Sequence, residues 1–328
     1  MTQQIVTVFG GSGFLGRYVV RALAATGASI RVACRRQHDA MFCKSMGDVG
    51  QIVTVQCDVR DKKSVVAAAR GADCVINLTG ILFERGTQTF DSVHGKGAFC
   101  IAKAARDNGA HRLIHVSAIG ADEKSESVYA KSKGTGEILV KEAFPDVVIL
   151  RPSLVFGPED DFFNRFSMYA RLLPFLPLIG GGNTKFQPVY VCDIAEAIVR
   201  SLKDKSSTGK TFELGGTQIV TFKELMQLIL KTVERRKILM PIPFWLAGLM
   251  AIFVEAGLAV PSKIMAGLTP PPPITPDQVR LLQYDNIVNN DSYSFADLGV
   301  SPVSMEAILP TYLSRYRPGG GLRKGFND

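Results

Sequence analysis

Apolar and polar positions follow two rhythms over the first two hundred residues. Short runs rich in β-branched and apolar residues mark strands at 5–9, 29–34, 52–56, 74–78, 112–116 and 147–150. Between them, apolar residues recur at helical spacing over 14–25, 62–69, 90–108 and 128–143. Asp61 is placed to cap the second helix, and Gly27 and Gly109 to stop the first and third. Strand and helix in alternation require right-handed crossovers and a parallel sheet covered on both faces. The expected class is therefore α/β, a doubly wound parallel (Rossmann) sheet spanning 1–155 and completed by about 186–204.

After Arg151 the rhythm breaks on Pro152, Gly157, Pro158, Pro174, Pro177 and the glycines at 180–182. A smaller C-terminal mixed α/β region, 156–328, is expected there. One of its helices is announced by the capping box Thr221-Phe222-Lys223-Glu224. The proline run 270–273 reads as a stiff extended connector. Residues 238–254 carry no charge, follow Arg235-Arg236-Lys237 and are interrupted by Glu255. A bilayer-spanning helix needs about 20 apolar residues, so this stretch is too short and too broken to cross. It reads either as an interfacial or partner-docking segment, 238–260, or as a buried helix of the second region.

Composition narrows the classes. Of the 328 residues, 46% are hydrophobic and 21% charged, which excludes a disordered or fibrous chain. The net charge of +8 is spread along the chain; only short basic clusters occur, at Arg35-Arg36, at 235–237 and in a tail with Arg315, Arg317, Arg323 and Lys324. That distribution argues against nucleic acid as a partner. The six cysteines form no C-x-x-C pair and have no His at metal-ligand spacing, so they read as reduced packing residues and no metal is expected. The first strand begins too early for a signal or transit peptide to precede it, which is the expectation for a cytosolic-side protein.

The chemistry starts at Gly10-Gly11-Ser12-Gly13-Phe14-Leu15-Gly16, between the first strand and the first helix. Glycines at 10, 13 and 16 allow a tight turn, a backbone bare enough for a pyrophosphate, and a helix packed close on its strand. Backbone N–H groups and the helix dipole then face the phosphates. After the second strand, where an acidic residue would hold an NAD ribose, stand Cys34-Arg35-Arg36. Two guanidiniums there favour a 2′-phosphate, hence NADP(H). Asp58 and Val59 close the third strand, where an Asp can reach the adenine amino group. Leu78, Thr79 and Gly80 close the fourth, at the edge where doubly wound sheets bind ligands.

The G-x-x-G-x-x-G spacing resembles that of the short-chain dehydrogenases and reductases. In that family a Tyr and a Lys one helical turn apart donate the proton and hold the nicotinamide ribose; Tyr129 and Lys133 stand at that spacing, after the fifth strand. Glycines at 134 and 136 weaken the same helix by roughly 1 kcal/mol each, which predicts a close approach. Other family positions depart. Ser117 falls one position early, Ala118 occupies the catalytic slot, and His94 stands where extended members carry Asn.

The glycine turn, Val116-Ser117-Ala118, Tyr129 to Lys133, and above all RPSLVFGPEDDFFNRF at 151–166 resemble the NADPH-containing accessory subunits of respiratory complex I, an atypical or extended branch of that family. FQPVYVCDIA at 186–195 and the stretch 281–288 fit as well. The resemblance implies a bacterial member with a tightly held NADPH that is not turned over. It further implies a mainly structural place on the peripheral arm beside the quinone-binding module, among other complex I subunits and with a possible membrane-interface contact, on the cytoplasmic face of the inner membrane. Within it, Pro152 and Leu154 join the cofactor-binding set, and Ser117, Tyr129 and Lys133 are cofactor contacts with vestigial catalytic character. The alternative is a free NADP(H)-dependent reductase or epimerase working through Tyr129 and Lys133.

Overall fold

The computed structural model describes residues 4–253 and 274–320. Its centre is a seven-stranded sheet in which every neighbouring pair runs parallel. The strands are β1 (Ile5–Phe9), β2 (Ser29–Cys34), β3 (Ile52–Gln56), β4 (Cys74–Asn77), β5 (Arg112–Val116), β6 (Val148–Pro152) and, beyond four short strands that lie outside this sheet, β11 (Thr211–Leu214). Their spatial order is β11-β6-β5-β4-β1-β2-β3. Strand order therefore reverses beside β1, between β2 and β4, and a crevice opens there at the carboxyl edge.

Alternate residues of each strand enter two different cores, as a period of two demands. Val6, Val8, Ile30, Val32 and Ile76 pack under α1 (Phe14–Ala24) and α6 (Val191–Lys203). Phe9, Ala33, Val75 and Leu113 pack under α2 (Lys62–Ala69), α3 (Lys96–Asp107) and α4 (Val128–Ala143). Burial on both faces is why these strands read as almost unbroken apolar runs. Asp61 caps α2 by accepting from the N–H groups of Lys63 and Ser64, and Gly27 and Gly109 adopt positive φ just past α1 and α3.

The differences from expectation are local. β4 ends one residue early, at Asn77, and β6 runs on through Pro152. The helix expected over 90–108 begins as a π-helical turn, Asp91–Gly95, before continuing as α3. The sheet is completed by β11 as well as by α6, past the expected limit at 204, and Phe295, Leu298 and Val300 pack into the same core.

The second lobe has its own core. α5 (Phe162–Leu172) and α7 (Phe222–Thr232) enclose Phe163, Phe222, Met226 and Ile229, and the helix Met305–Leu313 adds Leu309 and Leu313. Short strand pairs join it: β7 (Val155–Phe156) with β10 (Val189–Tyr190), β9 (Lys185–Phe186) with β12 (Val220–Thr221), and β8 (Phe175–Ile179) with β13 (Ile238–Ile242). The capping box at Thr221 and Glu224 forms as expected. Asp160 ties the lobe together, accepting from the N–H groups of Gly157, Phe163 and Asn164 and from the Tyr312 hydroxyl.

The charge-free stretch folds as β13 followed by a helix over 244–253. Ala247 and Ala251 are buried, whereas Trp245, Ile252 and Phe253 are 67%, 53% and 75% exposed. The described part of this helix is thus not fully buried, and among the described residues no helix is long and apolar enough to cross a membrane. Residues 254–260, the proline run 270–273, and Arg323 and Lys324 lie outside the described residues. The basic residues that are described work locally: Arg235 donates to the Tyr316 carbonyl, Arg315 to the Pro158 carbonyl, and Arg317 to the Thr232 carbonyl.

Candidate dinucleotide site

The glycine turn is built as its spacing requires. Gly10 has φ +79°, and a Cβ there would lie 3.1 Å from the Leu78 carbonyl carbon. At Gly16 a Cβ would come within 2.4 Å of the Gly10 carbonyl oxygen, so only hydrogen lets α1 press onto the turn. Gly13 is the N-cap of α1 and offers no capping side chain. The first-turn N–H groups, from Phe14 to Gly16, thus have neither an intrahelical acceptor nor a side-chain cap, which is the arrangement that binds an anion. Gly11 is buried, Ser12 half-buried and Gly13 exposed, so the turn lies open on one side only.

The arginines past β2 are not equivalent. Arg36 pairs with Asp39 at 2.8 Å with its side chain 81% exposed. Arg35 makes no ion pair among the described residues and helps to hold the Asp58 carboxyl below the usual carboxylate range, behind the larger effect of Arg60. Arg60 clamps Asp58, with Nη2 at 2.6 Å, and reaches the Thr87 hydroxyl at 2.5 Å. Asp58 is therefore shared with a guanidinium, a partner the sequence did not reveal. Val59 is buried under α3, where a Cβ on Gly97 would lie 3.1 Å from it.

Beyond β4, Leu78 donates its N–H to the Phe9 carbonyl, and Thr79 donates both its N–H and its hydroxyl to the Asn77 side chain. Gly80 is exposed, and a Cβ there would stand 3.4 Å from Lys133 Nζ and 3.7 Å from His94 Nε2. The loop after β4 and the Lys of α4 thus meet at one point. Lys133 Nζ donates to the Val116 carbonyl at 3.4 Å, and burial lowers its pKa to about 8, with Glu137 working the other way. Ser117, the next residue, is 4% exposed and its Oγ has no partner. Ala118 is half-buried beside it. Pro152 accepts from the Ile119 N–H, while Leu154 turns away into the second-lobe core.

Tyr129 sits edge-on to Phe90 and His94, with ring centroids 5.8 Å and 5.6 Å away, and desolvation pushes its phenol up to about 12. The glycines of α4 have the close contacts their presence predicts. A Cβ on Gly134 would lie 2.4 Å from the Glu123 nitrogen, and one on Gly136 would lie 2.3 Å from the His94 carbonyl oxygen.

His94 organises the site more than its place outside the motifs foretold. Its Nε2 accepts from the Ile81 N–H at 3.0 Å, so the proton of the neutral ring lies on Nδ1 and is donated to Ser132 Oγ at 2.8 Å; Ser132 in turn donates to the Tyr129 carbonyl. Burial, reinforced by Lys133, drives its pKa down to about 2, and His115, bonded to Asn77 Nδ2, is lowered in the same way to about 3. Both rings stay neutral in the folded chain and gain a proton when unfolded below about pH 6.5. The unfolded state binds more protons there, so stability falls as pH drops. From pH 6.5 to 5.5 each histidine is expected to remove roughly 1 kcal/mol. Urea unfolding of His115→Gln across that range should show a shallower loss than the wild type, and an identical slope would contradict the assignment.

The arrangement fits a nicotinamide dinucleotide: a bare glycine cradle at an uncapped helix start, and an orphaned buried hydroxyl beside a buried ammonium. Among the described residues no cluster of His, Cys, Asp and Glu could hold a metal ion, and all six cysteines are free.

Residues 7–236 match the model of the 3-beta hydroxysteroid dehydrogenase/isomerase family. Over 96% of its length the chain is 38% identical to an Arabidopsis thaliana protein named NADH dehydrogenase [ubiquinone] 1 alpha subcomplex subunit 9, mitochondrial, of which it covers 79%. It is 35% identical to a ceramide reductase of Caulobacter vibrioides over 60% of each chain. Among solved structures, a dTDP-glucose 4,6-dehydratase of Streptomyces venezuelae with NAD and TYD bound superposes with a TM-score of 0.69 at 19% identity, covering 95% of this chain and 96% of that one. With the family model matching residues 7–236, the chain belongs to the 3-beta hydroxysteroid dehydrogenase/isomerase family, and its doubly wound parallel sheet is Rossmann-like.

Proposed function

We propose that the chain is an accessory, mainly structural subunit of a membrane-bound NADH:quinone oxidoreductase, and that it holds NADPH without exchanging or consuming it. The single observation behind this reading is the 38% identity to a complex I subunit over 96% of the chain. A nicotinamide dinucleotide supplies hydride chemistry when bound. In this reading the residues of the chain hold rather than react. The amides at 11–16 receive the pyrophosphate, Arg35 the 2′-phosphate, and Lys133 the nicotinamide ribose, while Leu78, Thr79 and Gly80 floor the crevice. The buried Ser117 hydroxyl and the half-buried Ala118 after it weaken the proton relay that Tyr129 would need.

The second lobe carries the docking function. Trp245, Leu249, Met250, Ile252 and Phe253 form an outward apolar face that an isolated soluble domain has no use for. This face meets the other subunits near the quinone module, on the cytoplasmic face of the bacterial inner membrane. Affinity purification of tagged protein from detergent-solubilised membranes should recover complex I subunits, and Trp245→Glu with Phe253→Glu should lose them while keeping the dinucleotide. Recovery of no such subunit with the wild type overturns the reading.

The second reading, a free NADP(H)-dependent reductase or epimerase, is favoured by one observation: Tyr129 and Lys133 remain in place on α4. A defined turnover that disappears in Tyr129→Phe would establish it.

A further inference from the structure

We propose that Asp277 is a positioning residue for the dinucleotide site. Reaching across from the second lobe, its carboxylate fixes the first turn of α4, and with it Tyr129 and Lys133, so that the hold on the dinucleotide and the packing of the apolar helix at 244–253 support each other. The inference rests on the dinucleotide reading given above.

The contacts span almost half the chain. Asp277 Oδ1 accepts from the Val128 N–H at 2.8 Å, and Oδ2 accepts from the Tyr129 N–H at 3.0 Å and from the Ser127 hydroxyl at 2.9 Å. Ser127 is the N-cap of α4 and accepts in turn from the Ala130 N–H. One carboxylate from the second lobe thus satisfies two of the orphan donors of a sixteen-residue helix and orients the residue that caps a third. Its negative charge also lies at the positive end of the helix dipole. Tyr129 and Lys133 occupy the first two turns beyond this anchor, the part of α4 whose angle Asp277 sets most directly.

Asp277 is itself held by the docking end of the lobe. It lies in the helix Pro276–Leu281, which starts with a capping box between Thr275 and Gln278. Val279 of that helix is 3% exposed and packs in one small core with Ile179, Ile242, Ala247 and Ala251. Ala247 and Ala251 are the buried side of the helix whose other side is the exposed apolar face. Packed side chains and charged hydrogen bonds therefore run without a gap from that face, through Val279 and Asp277, to Tyr129. A contiguous chain of this kind carries coupling only if both ends bias it, and coupling is reciprocal.

The experiment follows release of NADPH from the purified full-length protein by the fluorescence of the reduced nicotinamide. Asp277→Ala is expected to release about tenfold faster, the equivalent of losing one good helix cap. Val279→Ala, which keeps the carboxylate but loosens its support, should shift release in the same direction by a smaller factor. In a Lys133→Ala background Asp277→Ala should add less than about twofold, because the group it positions is gone. A purely structural role would lower melting temperature equally with and without NADPH and act alike in both backgrounds. Should Asp277→Ala not fold, Asp277→Asn serves, since it keeps Oδ1 but loses the acceptor used by Tyr129 and Ser127. Wild-type release rates in these variants, or equal effects in both backgrounds, overturn this inference alone. A wild type that neither carries nor takes up NADPH overturns the proposed function, and this inference with it.

Discussion

Gly16→Val is expected to abolish dinucleotide retention. The added carbon would stand 2.4 Å from the Gly10 carbonyl oxygen and 2.6 Å from the Gly11 backbone, with no flexible side chain in between to yield. Either α1 lifts off β1 or the turn opens, and each moves the amides at 11–16 away from a common centre. Overpacking of backbone against backbone costs about 3 kcal/mol or more, so the protein should melt at a clearly lower temperature and purify without nucleotide. Gly27→Ala is the control. Gly27 has φ +79° with nothing within 4 Å of a Cβ, so alanine brings strain of roughly 1 kcal/mol but no clash. It should lose some stability and keep its nucleotide. A Gly16→Val protein that retains its nucleotide would remove the cradle from the account.

Arg35→Ala and Arg36→Ala are expected to separate by more than tenfold in their effect on cofactor choice. The sequence offers the two arginines as equals, but Arg36 is engaged with Asp39 at the surface, where such a pair is worth about 0.2–1 kcal/mol. Arg35 makes no ion pair among the described residues and acts on the Asp58 carboxyl. A hydrogen bond to a charged group contributes about 1.5–3 kcal/mol, so losing Arg35 should lower the preference for NADPH over NADH by about 10- to 100-fold. Arg36→Ala should stay within about threefold of the wild type. Dissociation constants for both dinucleotides, measured on apo protein at fixed ionic strength, decide the matter. Equal effects of the two variants, or an effect on NADH as large as on NADPH, would show that the 2′-phosphate is read elsewhere.

What the sequence disclosed is governed by distance along the chain. The strands of the central sheet are buried on both faces, so they appear as apolar runs, and four of them were located to the residue. The start of α2 was visible because its cap, Asp61, lies next to it, and Gly134 and Gly136 were visible because a helix tolerates glycine only under a close neighbour. The second lobe resisted for the opposite reason. β8 and β13 are five-residue strands that pair across sixty residues, and Pro177 and Pro241 within them mimic loop punctuation. The uncharged stretch after residue 237 could be read as docking or as core. It is only partly core: Ala247 and Ala251 are buried on one side of its helix, while Trp245 and Phe253 are exposed on the other.

The site shows the same division. The glycine turn and the Tyr129–Lys133 pair are local patterns, legible at once. His94 drew notice only as a departure from a family position, yet it joins the loop after β4 to α4 through Ile81 and Ser132. Arg60 lies two residues from Asp58 and could have been suspected as its partner; Asp277, some 150 residues from the helix it anchors, could not.

The account stands most directly on the identity and stoichiometry of the nucleotide released when the purified full-length protein is denatured, read by mass spectrometry. It predicts one NADPH per chain, retained through dilution and exchange against excess NADH before denaturation. A protein that emerges empty, or that carries a dinucleotide without the 2′-phosphate, would contradict it.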